Sequence, residues 1–229
     1  MSAPERVPVP AWMDRLRDQI AETPASWFSR FLPPDEGGRD SAVLMLFGPD
    51  ARGGQDVVLT ERSHEMRSHP GQVSFPGGSV DPGDAGPVSA ALREAREEVG
   101  LVEDGVEVVA ELPQLFLAAT GFVVTPVLAW WGRPTPIGVQ DTAEVARVVR
   151  APLAELTDPE HRFTVTHPSG FVGPGFDVDG LFVWGFTAGL LSKALELAGL
   201  ERPWDRSRRR PLPQWQLALG DGRPARPAR

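Results

Sequence analysis

The sequence predicts an α/β (α+β) architecture, a mixed β-sheet sandwiched between helices. Strand-like runs outnumber helical ones without settling into a regular βαβ rhythm. Three stretches, one early, one mid-chain and one late, carry apolar residues at helical spacing. The chain has 229 residues and 41% hydrophobic content, enough to fill one good core.

The elements follow in order. Residues 9–20 place Trp12, Leu16 and Ile20 at helical spacing, which predicts a short amphipathic helix before the Pro/Gly-rich stretch 33–39. Residues 41–47 and 56–60 read as strands, and the turn cluster 48–54 joins them into a hairpin. Helical periodicity returns from Pro87 to Val99, with Gly100 as its stop. Strand-like runs follow at 106–111, 115–119, 122–131 and 144–149. Residues 151–156 suggest a short helix with Pro152 in its first turn. The loop-rich stretch 163–182 suggests a hairpin, and a last helix spans 185–198. From Pro203 the chain is rich in Arg and Pro and is expected to be poorly ordered, with Trp204, Leu212 and Trp215 as anchors for part of it. The expected division is an N-terminal helix and linker over 1–40, one domain over 41–200, and a basic tail over 201–229.

Composition narrows the chemistry. There is no cysteine, so a disulfide, a thiolate ligand and a cysteine nucleophile are all excluded, and any metal must be held by oxygen or imidazole. No run approaches the ~18 apolar residues of a membrane span and the first ten residues lack a secretion signal, so a cytoplasmic location without membrane partners is the default. The formal charge is −8, yet residues 201–229 hold eight arginines against three acids, leaving the body strongly acidic. Such a body argues against nucleic acid as a partner, and an anionic small molecule would need local arginines or bound cations. RSRRR beside prolines in the tail reads as a terminus rather than a docking site. A homodimer is compatible with all of this. The sequence contains no GxSxG, GxxxxGK[ST] or HExxH pattern.

The informative stretch runs from Gly77–Gly78 through Asp84 to Arg93, Glu94, Ala95, Arg96, Glu97, Glu98, Val99 and Gly100. Glu94, Glu97 and Glu98 stand at i, i+3 and i+4, so their carboxylates leave one helix face, while Val88, Ala91, Leu92, Ala95 and Val99 form the core stripe. Like charges at that spacing repel, and a hard divalent cation, Mg²⁺ or Mn²⁺, would relieve them while bridging to phosphate oxygens. Arg93 lies four residues before Glu97 and could hold that carboxylate in place. Gly77 and Gly78 let backbone approach such an ion, with the Gly77 carbonyl as a further ligand and Gly78 near the substrate.

Taken alone, EAREE would be a solvated helix face. The whole array, however, resembles the Nudix box, a glycine, a loop acid and then the REUxEExGU helix, where U is aliphatic. Two departures stand out: the loop acid is Asp84 instead of glutamate, and eight residues instead of seven separate it from Arg93. The run LTERSHEMRSHPGQVSFPGG over 59–78 and the later WGFTAG over 184–189 are similar to segments of the coenzyme A pyrophosphatase branch of Nudix hydrolases.

The resemblance implies a Nudix fold and metal-dependent hydrolysis of coenzyme A or acyl-CoA to adenosine 3′,5′-bisphosphate and the (acyl-)4′-phosphopantetheine. The alternatives are another nucleoside diphosphate derivative (ADP-ribose, a dinucleotide or a nucleoside triphosphate) and a non-catalytic nucleotide-binding module. Motif transfer makes Glu97 and Glu98 metal ligands and Glu94 a ligand or the general base. Glu144, just before a strand, competes for the base role against a plain solvated reading. Arg62, Arg67 and His69 are the expected cationic donors to phosphate, against pairing with the acidic body or ordering of their loop. Trp130, Trp131 and Trp184 are read as core rather than adenine platforms, and His161 and His167 as structural or solvated.

Overall fold

The runs AVLMLF and VVTPVLAWW are apolar at nearly every position, the mark of strands covered on both faces. The computed structural model describes residues 6–29, 32–34, 37–66, 69–118, 120–213 and 216. In chain order the elements are α1 (Ala11–Glu22), α2 (Ala25–Phe28), β1 (Arg39–Pro49), β2 (Gln55–Arg62), β3 (Val73–Ser74), β4 (Gly77–Ser79) and α3 (Pro87–Val99). Then come β5 (Val106–Glu111), β6 (Leu115–Leu117), β7 (Phe122–Trp131), β8 (Val145–Pro152) and α4 (Leu153–Leu156). The chain closes with β9 (Arg162–Thr166), β10 (Val172–Val178), β11 (Leu181–Val183), α5 (Gly185–Ala198) and β12 (Arg209–Pro211).

The central pair is β1 and β7, parallel and in register from Arg39↔Phe122 to Phe47↔Trp130. All other pairings in this sheet are antiparallel: β2 and β4 on β1, β3 and β8 on β2, β5 and β6 on β7. The expected hairpin is present, closing at Pro49↔Gln55. The sheet is therefore mixed, as expected.

Strand alternation sends successive side chains to opposite faces. Leu44, Leu46, Val127, Ala129 and Trp131 pack under α3 with Ala91, Ala95 and Val99. Met45, Phe47, Leu128 and Trp130 face the other way, with Met13, Leu16 and Ile20 of α1 and Leu191, Ala194 and Leu195 of α5. Each fully buried side chain of this size contributes about 1.5–3 kcal/mol. Trp130 and Trp131 are fully buried, so both are core. Trp12 is only half-buried, because its indole N–H reaches Gln55 Oε1 at 2.7 Å while Met13 takes the inward position. The short helix α2 had no periodic signal to announce it.

Differences from expectation have local causes. β8 runs on to Pro152, so the short helix begins at Leu153 with Pro152 as its cap residue. The stretch 162–183 forms three strands, which with β12 make a second sheet ordered β11-β10-β9-β12. His161 Nδ1 lies 2.5 Å from the Asp177 carbonyl, and His167 stacks on Trp184, so both are structural.

The tail departs most. Arg209–Pro211 pairs parallel with β9, Leu212 is 3% exposed, and Trp204 lies over the guanidinium of Arg162 at 4.7 Å. Arg162 is itself buried against Phe176, with Ser192 and Glu201 as acceptors. The segment up to Pro213 thus packs on the domain, where Trp204 covers the Arg162 guanidinium and Arg209–Pro211 covers the edge of β9. Trp215 and residues from 217 lie outside the described residues. Truncation after Arg202 is expected to cost about 3–5 kcal/mol through loss of Leu212 and Trp204 packing. A thermal melt should fall by on the order of 10 °C, and an unchanged midpoint would return the segment to an accessory role.

One buried ion pair supports the β1–β2 hairpin. Asp56 is 2% exposed; Arg150 Nη2 donates to its Oδ1 at 2.9 Å and to the Pro49 carbonyl at 2.6 Å. Burial nevertheless outweighs the arginine and pushes the Asp56 pKa up to about 6.

Candidate active site

Helix α3 begins at Pro87, whose missing N–H costs nothing in a first turn, and ends at Gly100, which takes the left-handed conformation at φ 72°. Its apolar stripe seats it on β1 and β7, and this fixes where the acids emerge. Glu98 is the inner one, 7% exposed, its Oε2 accepting the Gly77 N–H at 3.1 Å. Burial pushes its pKa up to about 7; the Gly77 N–H and Arg62 oppose the rise, and the charges of Glu94 and Glu144 add to it. Burial likewise raises Glu94, against the pull of Arg93.

The two glycines before the helix make this closeness geometrically feasible. A Cβ on Gly77 would lie 2.3 Å from the Ala42 carbonyl oxygen, and one on Gly78 would lie 2.3 Å from Glu94 Oε1. Only a residue without a side chain lets the β4 backbone pass between β1 and the helix acids.

Glu97 differs from its two neighbours. Its side chain is 55% exposed and accepts from Arg93 Nη1 at 3.0 Å, the i, i+4 contact anticipated from spacing. Arg93 does more than that. Its Nε and Nη2 each lie 3.1 Å from an oxygen of Asp84, Nη2 donates to the Ser79 carbonyl at 2.9 Å, and Nη1 reaches Glu94 Oε1 at 3.1 Å. Asp84 also accepts the Asp81 N–H at 2.8 Å, and Arg93 first, then this bond, holds its pKa below the usual carboxylate range. The divergent loop acid is therefore the anchor that ties the loop to Arg93. Crowding of all three helix acids was the expectation; the structure instead separates an inner Glu94–Glu98 pair from an outer Glu97 clasped by arginine.

Arg62 and Glu144 reach the same place from elsewhere in the chain. The antiparallel β2–β8 pairing sets Arg62 against Val145, and the Ser63 N–H donates to the Glu144 carbonyl at 2.8 Å. Arg62 opposes, and Glu144 reinforces, the rise in Glu98, so both charges lie within electrostatic reach of it. Arg62 Nε is buried without a hydrogen-bond partner. His69 sits in the left-handed region at φ 54°, and burial, then the Arg62 charge, lower its pKa. Its protonated form is therefore disfavoured, against the cationic role expected from the sequence. Arg67 lies outside the described residues. What sequence spacing could not reveal was the collar of Ser79, Asp81 and Asp84 around Arg93; the eight-residue spacing to Asp84 was its only trace.

Among the described residues no three histidine, aspartate or glutamate side chains are gathered into a ready-made ion cage, and no helix is long and apolar enough to cross a membrane.

Residues 38–170 match the family model described as NUDIX domain. The protein "Uncharacterized Nudix hydrolase NudL" of Enterobacter sp. (strain 638) is 38% identical over 170 residues, covering 71% of this chain and 84% of its own. Its namesake in Escherichia coli (strain K12) is 38% identical over 161 residues, covering 67% and 79%. Among solved structures, a Nudix hydrolase from M. smegmatis, RenU, is similar over 75% of this chain and 92% of its own, at 19% identity and a TM-score of 0.48.

Proposed function

The chain belongs to the Nudix hydrolase family, and from that premise we propose that it hydrolyses the diphosphate of coenzyme A or an acyl-CoA. The products are adenosine 3′,5′-bisphosphate and the (acyl-)4′-phosphopantetheine. Activity as a pyrophosphatase on a nucleoside-diphosphate-linked substrate comes with the family; the narrower substrate is supported by the sequence run 59–78 and by WGFTAG over 184–189. The observation that carries the mechanism is the Glu94–Glu98 pair against the Gly77–Gly78 backbone, with the charges of Arg62 and Glu144 acting on Glu98.

These groups fit a divalent cation shared with substrate. The donors are all oxygen, and Gly78 leaves open the space beside Glu94 that a Cβ would fill. A hard ion bridged to phosphate needs only one or two protein carboxylates, so a complete cage is not required. Mg²⁺ or Mn²⁺, held by Glu98 and Glu94 with Glu97 and the Gly77 carbonyl as the remaining candidates, would neutralise phosphoryl charge and acidify the attacking water.

The chain's own residues divide the remaining work. Arg62, whose charge acts on Glu98, is the cation proposed for a phosphate oxygen. Glu144, exposed and within electrostatic reach of the pair, is the proposed acceptor of the proton of the attacking water. Arg93 is a positioning residue, locking Glu94, Glu97 and the 79–84 loop together.

A second reading, a substrate of the ADP-ribose or dinucleotide type, is favoured by His69. Burial, then the Arg62 charge, disfavours its protonated form, which weakens it as one of the cations that the three phosphates of coenzyme A would call on. A non-catalytic module is disfavoured because Glu94, Glu97 and Glu98 are all present. Product analysis with Mg²⁺ or Mn²⁺ decides among these. Release of 4′-phosphopantetheine faster than ADP-ribose cleavage supports coenzyme A, the reverse order supports the second reading, and ligand binding without cleavage supports the module. Chelation by EDTA should stop turnover.

Gly78→Ala is expected to displace the Glu94 carboxylate and lower kcat by roughly 100-fold, the scale of an ångström misplacement in a site. The obstructing atoms are the end of a flexible side chain, so the melting midpoint should hardly move. An unaltered kcat would remove Glu94 from the reaction.

A further inference from the structure

The connection from β7 to β8 ties itself to the last turn of α3. Carbonyls at a helix end have no partner within the helix and must find one outside. Here the Gly138 N–H donates to the Val99 carbonyl at 3.0 Å, and the Gln140 N–H to the Glu98 carbonyl at 3.2 Å. Gly100 makes room for this approach, since a Cβ there would stand 2.7 Å from Gln140 Nε2. That Nε2 donates to the Gly138 carbonyl at 2.9 Å and closes the loop on itself. The loop is thus fixed to the backbone of the very residue whose side chain is the inner acid. Glu144 follows within one turn. Asp141 Oδ1 accepts the Ala143 N–H at 2.8 Å, and the Asp141 carbonyl accepts the N–H groups of Glu144 at 3.2 Å and Val145 at 2.9 Å. A short acid bonding the backbone two residues on is what folds such a turn. On the other side, the Glu144 carbonyl accepts the Ser63 N–H at 2.8 Å, next to Arg62.

We propose that Asp141 is a positioning residue for the hydrolysis, its side chain holding the turn that keeps Glu144 beside the Glu94–Glu98 pair. This role rests on the reading of Glu144 as the proton acceptor. The charge of Glu144 acts on both Glu94 and Glu98, in keeping with a loop anchored at the Glu98 carbonyl. Glu144 is exposed, so no packing fixes its direction and the turn beneath it must do so. Without the Oδ1 acceptor that turn loses one of its three bonds. A general base works only within hydrogen-bond reach of the proton it takes, so a loosened turn lowers kcat and leaves substrate affinity alone.

Steady-state kinetics of the full chain with Mg²⁺, on whichever of coenzyme A and ADP-ribose the parent cleaves faster, test this. Glu144→Gln should lower kcat by roughly 100-fold, the low end of what a positioned base contributes. Asp141→Ala should lower kcat by roughly tenfold with KM unchanged, a part of the cost of misplacing a reacting group. Asp141→Asn, whose Oδ1 can still accept from Ala143, should recover most of that rate. In the Glu144→Gln background, Asp141→Ala should slow turnover no further, since both changes remove the same contribution. Asp141 is exposed, so the melting midpoints should stay near that of the parent. A parental rate in Asp141→Ala, a deficit that Asp141→Asn does not repair, a raised KM in place of a lowered kcat, or a further loss in the double variant overturns the positioning role while leaving Glu144 in the reaction. No cleavage by the parent, or an unaltered rate in Glu144→Gln, instead removes the proton acceptor itself, and the role of Asp141 with it.

Discussion

Glu98→Gln is expected to lower turnover by roughly 10³-fold while leaving the protein at least as stable as the parent. The amide oxygen of glutamine still accepts the Gly77 N–H, so the hydrogen bond at 3.1 Å survives. What disappears is a carboxylate at a site only 7% exposed, where a charge is costly to bury. Activity and stability should therefore move independently. Single-turnover assays beside a thermal melt check both, and a variant that keeps even a tenth of the parental rate would take the inner acid out of the chemistry.

Arg150→Met should show the largest pH-dependent loss of stability. Removing one member of a buried ion pair typically costs about 3–5 kcal/mol, because the other charge is left uncompensated. Here that charge is Asp56, whose folded pKa of about 6 lies above its ordinary value even with the arginine present. An acid with a raised folded pKa contributes stability fully below its unfolded pKa and loses that contribution as pH rises through the folded one. The parent should accordingly lose stability between about pH 4 and 6. In Arg150→Met the decline should be steeper and extend to higher pH, so that the deficit at pH 8 exceeds that at pH 5. Urea titrations at the two values measure it, and equal deficits would show that Arg150 matters through its bond to Pro49 and its packing alone.

Much of the fold was legible because local rules agree with the tertiary outcome. Pro87–Val99 and Gly185–Ala198 run as the periodicity predicts, since each helix has a clear apolar stripe and a glycine at its end. The β7 span was equally plain from a run apolar at nearly every position. The tail misled because Arg and Pro are read as solvated, whereas here Trp204 covers Arg162 and Arg209–Pro211 completes a sheet edge 43 residues or more from its partner strand. At the site, the helix acids and Arg93 could be read from one short segment. The separation of Glu97 from Glu98 could not, because spacing gives direction around a helix and says nothing of depth. His69 shows a similar gap: its residue type promises a proton near neutrality, and only its burial beside Arg62 reveals that the protonated form is disfavoured. Asp56 and Arg150 carried no signal at all, being 94 residues apart.

The parallel β1–β7 pairing has a consequence for how the chain reaches its native state. Because β1 ends at Pro49 and its partner does not begin until Phe122, the middle of the sheet cannot assemble until both halves are available. Closing so long a loop must precede the contacts that reward it, which slows folding and prolongs exposure of strand edges to other molecules. During synthesis, the β1–β2 hairpin and the glutamate-bearing helix must wait on the ribosome for a strand made later, a period in which a chaperone would have most to protect.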